Sequence, residues 1–111
     1  MNKNVIKPYN DDKFQEYVGK VGGKRNLREI VITTNDDYEF HYLVKKPSRS
    51  VLQAIAEYEK TKQTSKIENL LIGCVLEGDK EAFEHDGAMY LELMKQIGLL
   101  IMDIKSEIKK N

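Results

Sequence analysis

Residues 28–44 read REIVITTNDDYEFHYLV. In the second half, Tyr38, Phe40, Tyr42 and Val44 alternate with Glu39, His41 and Leu43, the two-residue period of a strand. The first half, REIVITT, is β-branched and of similar length. Between them stand Asn35, Asp36 and Asp37, whose side chains favour turns. The stretch predicts a β-hairpin over about residues 28–45, with strands at 28–34 and 38–45. An isolated hairpin is marginal in water, so the face carrying Tyr38, Phe40 and Tyr42 must lie on other elements.

Working outward, residues 1–10 are polar and expected to be loose. Residues 11–18 predict a short helix, capped by Asn10 or Asp11, with Phe14, Tyr17 and Val18 on one face. The glycines and charges of GKVGGKRN, residues 19–26, suit a loop. After the hairpin, Pro47 lacks an N–H to extend the ladder, and helical spacing takes over for residues 48–110. Ser50 with Gln53 fits a capping box, with Ser48 as a rival cap. Val51, Leu52, Ile55, Ala56 and Tyr58 form the first stripe. After the polar KTKQT, residues 60–64, Ser65 with Glu68 fits a second box. Ile67, Leu70, Leu71, Cys74 and Val75 then make an i, i+3, i+4, i+7, i+8 stripe that Gly78 ends. A last helix is expected over about residues 87–109, about 35 Å long at 1.5 Å per residue. The fold class is α+β: one domain over 1–111, with a short N-terminal helix, a β-hairpin, and three helices packed on the hairpin, the last of them long.

The 111 residues balance 18 Lys and Arg against 18 Asp and Glu. A strong nucleic-acid binder normally carries a basic excess, so nucleic acid is disfavoured as a partner. The single cysteine rules out an intramolecular disulfide and fits a reducing compartment. No apolar run near the N-terminus marks a secretory signal, and the longest apolar run, residues 99–102, is far too short to span a bilayer. These features point to a cytoplasmic protein without membrane association.

No catalytic pattern stands out. The stretch LIGCVLEGDKEAFEHD, residues 71–86, gathers Cys74, His85 and several carboxylates, but a zinc site needs about four ligands at short spacings. An EF-hand loop requires D-x-[DN]-x-[DN]-G, and DKEAFE departs from it at the third, fifth and sixth positions. Glu77, Asp79, Glu81, Glu84 and Asp86 read as caps and solvated turn residues, at most a weak cation site. GKVGGKR fails the P-loop, because Val18 stands five residues before Gly23 and Arg25 follows Lys24. His41 and His85 lack a neighbouring nucleophile and are expected at the surface. The reading is therefore of no enzyme, no cofactor and no metal. Lys45, Lys46 and Arg49 form a basic patch at the strand-to-helix junction, and Lys20, Lys24, Arg25 and Arg28 are expected near it. It is the one nucleic-acid signal.

The last helix carries more information. Tyr90, Leu93, Met94, Ile97, Leu100, Ile101, Ile104 and Ile108 account for its core stripe. Leu91, Leu99 and Met102 fall off that stripe. They form a candidate partner-binding or self-association surface, with Gly98 allowing close approach and the methionines suiting an adaptable contact.

Three pieces resemble the small tail assembly chaperones of long-tailed bacteriophages. The first is KFQEYVGKVGGKRNLREIVIT (13–33), a short helix, a glycine break and a strand. The second is YEFHYLVKKPSRSVL (38–52), an aromatic strand ending in a basic junction. The third is ENLLIGCVLEGDKEAFEHDGAMYLELMKQIGLLI (68–101), a cysteine and Gly-Asp, an acidic turn and a final apolar helix. The likeness covers most of residues 13–101. Relatives often carry two glycines before the aspartate and an aromatic after the cysteine, where this chain has Glu77-Gly78-Asp79 and Val75. The Lys-rich tail, 105–111, also lies outside the pattern. The resemblance implies a non-enzymatic role in virion assembly: such chaperones coat the long tape-measure protein before the tail tube forms and help recruit tube subunits. The expected partner is then a tape-measure or other tail protein, met in the cytoplasm of an infected bacterium, with homo-oligomer formation as a further use of the surface. A structural virion component is the other role this family shape implies.

Overall fold

The computed structural model describes residues 3–102 and 106–109. The hairpin forms as the alternation requires. Strand β2 (Leu27–Thr33) pairs antiparallel with β3 (Tyr38–Lys45), with Ile30 opposite Tyr42 and Ile32 opposite Phe40. The Thr34 N–H donates to the Tyr38 carbonyl at 2.9 Å, and Asp37 takes the left-handed conformation at φ 66° that closes a three-residue hairpin loop.

The other edge of β3 is shared by two short strands. Residues 1–10, expected loose, contain β1 (Asn4–Ile6), which runs parallel to β3 from Tyr38 to Phe40. Strand β4 (Val75–Glu77) pairs antiparallel with Leu43 and Val44 across a register shift. This corrects the long helix expected through Val75 to Gly78. Helix α3 (Thr64–Ile72) stops at Gly73, whose N–H bonds back to the Asn69 carbonyl at 3.0 Å. The chain then turns into the open edge of β3, where its backbone groups find partners that a surface helix would not give the sheet.

Helices cover both faces of the sheet. On one face Ile30, Ile32, Tyr42, Val44, Cys74 and Val75 meet Phe83, Met89, Leu93 and Ile97 in the main core. The aromatic strand thus lies on helices, as expected, with Tyr42 fully buried and tilted against Phe83; Tyr38 remains partly exposed. On the other face α1 (Asp11–Lys20), capped by the Asn10 side chain, lays Phe14, Tyr17 and Val18 over Leu27, Leu43 and Tyr9. This second core answers the one apolar residue, Leu43, on the strand's otherwise polar face.

Four helices follow the hairpin, one more than expected. Helix α2 (Arg49–Lys60) starts at Ser48, which accepts from the Val51 N–H, so Ser48 and not Ser50 is the cap. It buries only Ile55 and rests mainly on α3, not on the sheet. The box expected from Ser65 and Glu68 is absent; α3 begins two residues earlier, after Gln63, without a side-chain cap. Asp79 caps the short α4 (Lys80–His85), and Asp86 caps α5 (Gly87–Ile101) through the N–H groups of Ala88 and Met89. Helix α5 is shorter than the expected 87–109. It ends at Ile101, residues 106–109 carry no regular structure, and Ile108 is exposed. Ile104, assigned to the core stripe, lies outside the described residues. No helix among the described residues is long and apolar enough to cross a membrane.

Candidate functional site

Helix α5 holds its core with Met89, Leu93 and Ile97, each buried against the sheet. The three residues set aside from the core stripe are exposed: Leu91 is 68%, Leu99 48% and Met102 77% accessible; Ile101, assigned to the stripe, is exposed too, at 36%, where the helix ends. At about 100° per residue, Leu91 and Met102 project within about 20° of each other and Leu99 within about 80° of Leu91. They share the outward side of the helix with Gly98, and Lys95 stands between Leu91 and Leu99. The strip is apolar, and one flexible cation breaks it.

The basic junction becomes a concave surface. Lys45, Lys46 and Arg49 line a cleft of about 520 Å³ together with Lys20 and Arg25. Two hydrogen bonds hold its walls: the Lys46 N–H donates to the Asn26 backbone carbonyl at 2.8 Å, and the Asn26 side-chain amide donates to the Val21 carbonyl at 2.8 Å. Lys20 is paired with Glu16 at 3.0 Å. Among the described residues, Arg25, Lys45, Lys46 and Arg49 have no carboxylate partner. Arg28, expected nearby, does not line the cleft; its guanidinium donates to the carbonyls of Arg25 and Leu27.

The α1 side of the sheet carries a polar cluster that the sequence did not announce. His41, expected at the surface, has a side chain only 13% exposed, on the face where the segment after β1 brings Tyr9 to Glu29. Its Nε2 lies 2.8 Å from Glu39 and its Nδ1 3.3 Å from Glu29, a contact too poorly aligned to be a hydrogen bond. Glu29 also accepts from the Tyr9 hydroxyl and sits 3.7 Å from Lys7. Burial pushes the Glu29 carboxyl up, but the bond from Tyr9, the nearby His41 ring and the charge of Lys7 outweigh it, leaving the net shift downward. Burial and Glu29 together hold the Tyr9 phenol protonated far above its usual range. The bond from the Tyr9 hydroxyl to Glu29 makes this cluster a clamp that joins the N-terminal segment to the sheet. The signal that reveals it is Tyr9, an aromatic residue within a polar leader.

The acidic turn divides its carboxylates among structural tasks. Glu77 accepts from the Tyr17 hydroxyl at 2.8 Å, and Asp79 and Asp86 are caps. Cys74 is fully buried, and burial raises its thiol pKa despite the opposing charge of Lys45. His85 is exposed. Among the described residues no three His, Cys, Asp or Glu side chains stand together in a way that could hold a metal ion.

Compared with protein-family models, curated proteins and solved structures, the chain matches none.

Proposed function

We propose that this chain is a non-enzymatic tail assembly chaperone-like protein that covers an apolar helical segment of a tape-measure or other tail protein in the bacterial cytoplasm. The observation that supports this reading is the exposure of Leu91, Leu99 and Met102 on one side of α5 while Leu93 and Ile97 of the same helix are fully buried. A helix that has already satisfied its core and still presents apolar side chains suits a second, helical partner. The resemblance of most of residues 13–101 to tail assembly chaperones is the ground for this choice of partner. Co-expression with a tape-measure protein should raise the latter's solubility. Leu99→Glu with Met102→Glu should weaken the association by about tenfold or more, with folding stability changed by less than about 0.5 kcal/mol. Absence of any association with the wild-type chain defeats the reading.

The basic cleft favours a second reading, a nucleic-acid-binding accessory protein. Its support is the gathering of Lys45, Lys46 and Arg49 with Lys20 and Arg25 on one concave surface. Phosphate contacts predict binding that falls steeply with salt, so filter binding across a salt series with single-stranded and duplex oligonucleotides decides it. Binding that is absent at low salt removes this reading.

A further inference from the structure

Among the described residues strand β2 pairs with β3 alone, so its other edge faces outward. Which groups face outward follows from the ladder. The Thr34 N–H bonds to the Tyr38 carbonyl and the Lys46 N–H to the Asn26 carbonyl. Bonded pairs alternate along an antiparallel ladder, so Arg28, Ile30 and Ile32 aim their backbone groups at β3. Leu27, Glu29, Val31 and Thr33 aim theirs away. The Leu27 carbonyl is covered by the Arg28 guanidinium at 2.8 Å. For Glu29, Val31 and Thr33, no hydrogen bond to the main chain exists among the described residues beyond the ladder. All three are exposed, and the Val31 side chain keeps 45% of its surface in water. An open, β-branched edge of this kind is a template for another strand.

We propose that the occupant is a second copy of this chain, joined antiparallel through β2 about a two-fold axis at Val31, so that the two sheets become one. In this register Val31 meets Val31 of the second copy, and Glu29 meets Thr33 in both directions. Each such bonded pair exchanges two N–H···O bonds, which satisfies every outward N–H and carbonyl of the three residues in both copies. No like charges oppose each other along the pairing.

The flanks of β2 select this arrangement over other strands. Lys24 and Arg25 precede the strand, and Asp36 and Asp37 follow it, all four exposed. Antiparallel pairing of two identical chains sets the basic end of one against the acidic end of the other, twice. Parallel pairing sets like against like, which costs energy at both ends. The two-fold also keeps both α5 helices on one face of the joined sheet. There Glu92, Gln96 and Leu100 wall a groove of about 500 Å³ along the edge. The interface is isologous and closes at two chains.

Hydrogen exchange on the full chain, followed with sedimentation over a concentration series, tests this directly. In the dilute monomer the amides of Glu29, Val31 and Thr33 exchange fast while those of Arg28, Ile30 and Ile32 are protected. On dimer formation the alternation should vanish, with protection of the three outward amides rising by about tenfold or more. Val31→Pro removes an outward donor without touching the β3 ladder and should yield a monomer. If it misfolds, Arg25→Glu with Asp36→Lys serves instead: either change alone weakens the dimer and the pair restores it. A chain that stays monomeric at high concentration overturns the proposal. So does a dimer in which the three amides still exchange fast, or edge protection that appears only when a foreign peptide is added.

Discussion

At Gly78 the backbone takes φ 141°, and a Cβ placed there would stand 2.2 Å from Cδ1 of Tyr42. Both the dihedral and the space exclude a side chain. The ring it would strike belongs to the central strand and is fully buried, so it has nowhere to retreat. Gly78→Ala should therefore destabilise the fold by about 2–5 kcal/mol, combining backbone strain with overpacking, as a fall in the urea midpoint will show. The same ring carries a pH signature. Burial, reinforced by the charge of Asp79, pushes the Tyr42 phenol from 10.0 up to about 12, and its hydroxyl donates to the Asp79 carbonyl at 2.7 Å. A pKa raised on folding stabilises the protein below the unfolded value and loses that contribution as pH climbs through the folded one. Stability should hold to about pH 10 and decline between about 10 and 12. Tyrosinate absorbance will rise with the loss of structure, and the decline will be shallower in Tyr42→Phe, which starts from lower stability.

At the scale of elements, the hairpin was legible because two independent signals agreed: a two-residue alternation in Tyr38–Lys45 and turn chemistry in Asn35, Asp36 and Asp37. The aromatic face found its helices for the same reason. Strand β4 was not legible, since Leu71, Cys74 and Val75 satisfy helical spacing as well as burial in a strand, and a three-residue strand has no period of its own. What decided it was an open edge on β3, which is a property of the whole sheet. The end of α5 was lost differently: Ile101 and Ile108 keep a helical period in the sequence, yet the helix stops at Ile101 and Ile108 is exposed. Of the candidate surfaces, the placement of Leu91, Leu99 and Met102 outside the core stripe followed from arithmetic on one helix. Of the cations expected beside Lys45, Lys20 and Arg25 line the cleft, whereas Lys24 and Arg28 do not. Helix α2 offers a discriminating measurement. Ser48 caps it and Ser50 lies within its first turn, so Ser48→Ala should cost about 1 kcal/mol and Ser50→Ala less than about 0.5. The order of the two in thermal denaturation checks the assignment of its first residue.

Across the whole molecule, the sheet separates two cores with different dependencies. The helical side is closed by α4 and α5, which follow the sheet strands in sequence and bring many buried residues. The opposite side is closed by α1 and the leader, with Tyr9 as its most buried contributor and the Tyr9–Glu29 and Tyr17–Glu77 bonds at its margin. Because α1 buries no residue completely, this layer depends on the chain before it to keep water from Leu43 and Leu27. Removing residues 1–9 deletes β1 together with the Tyr9 ring, and the loss should be about 2–4 kcal/mol, the scale of an aromatic truncated from a core. The damage should be local. The amide of Glu39, which faces β1, and those of α1 should lose protection, while those of Leu93 and Ile97 keep theirs until global unfolding. A truncated chain that unfolds at the wild-type urea concentration would mean that the leader merely lies on the sheet. A chain whose α5 amides open together with α1 would mean that the two cores are one cooperative unit.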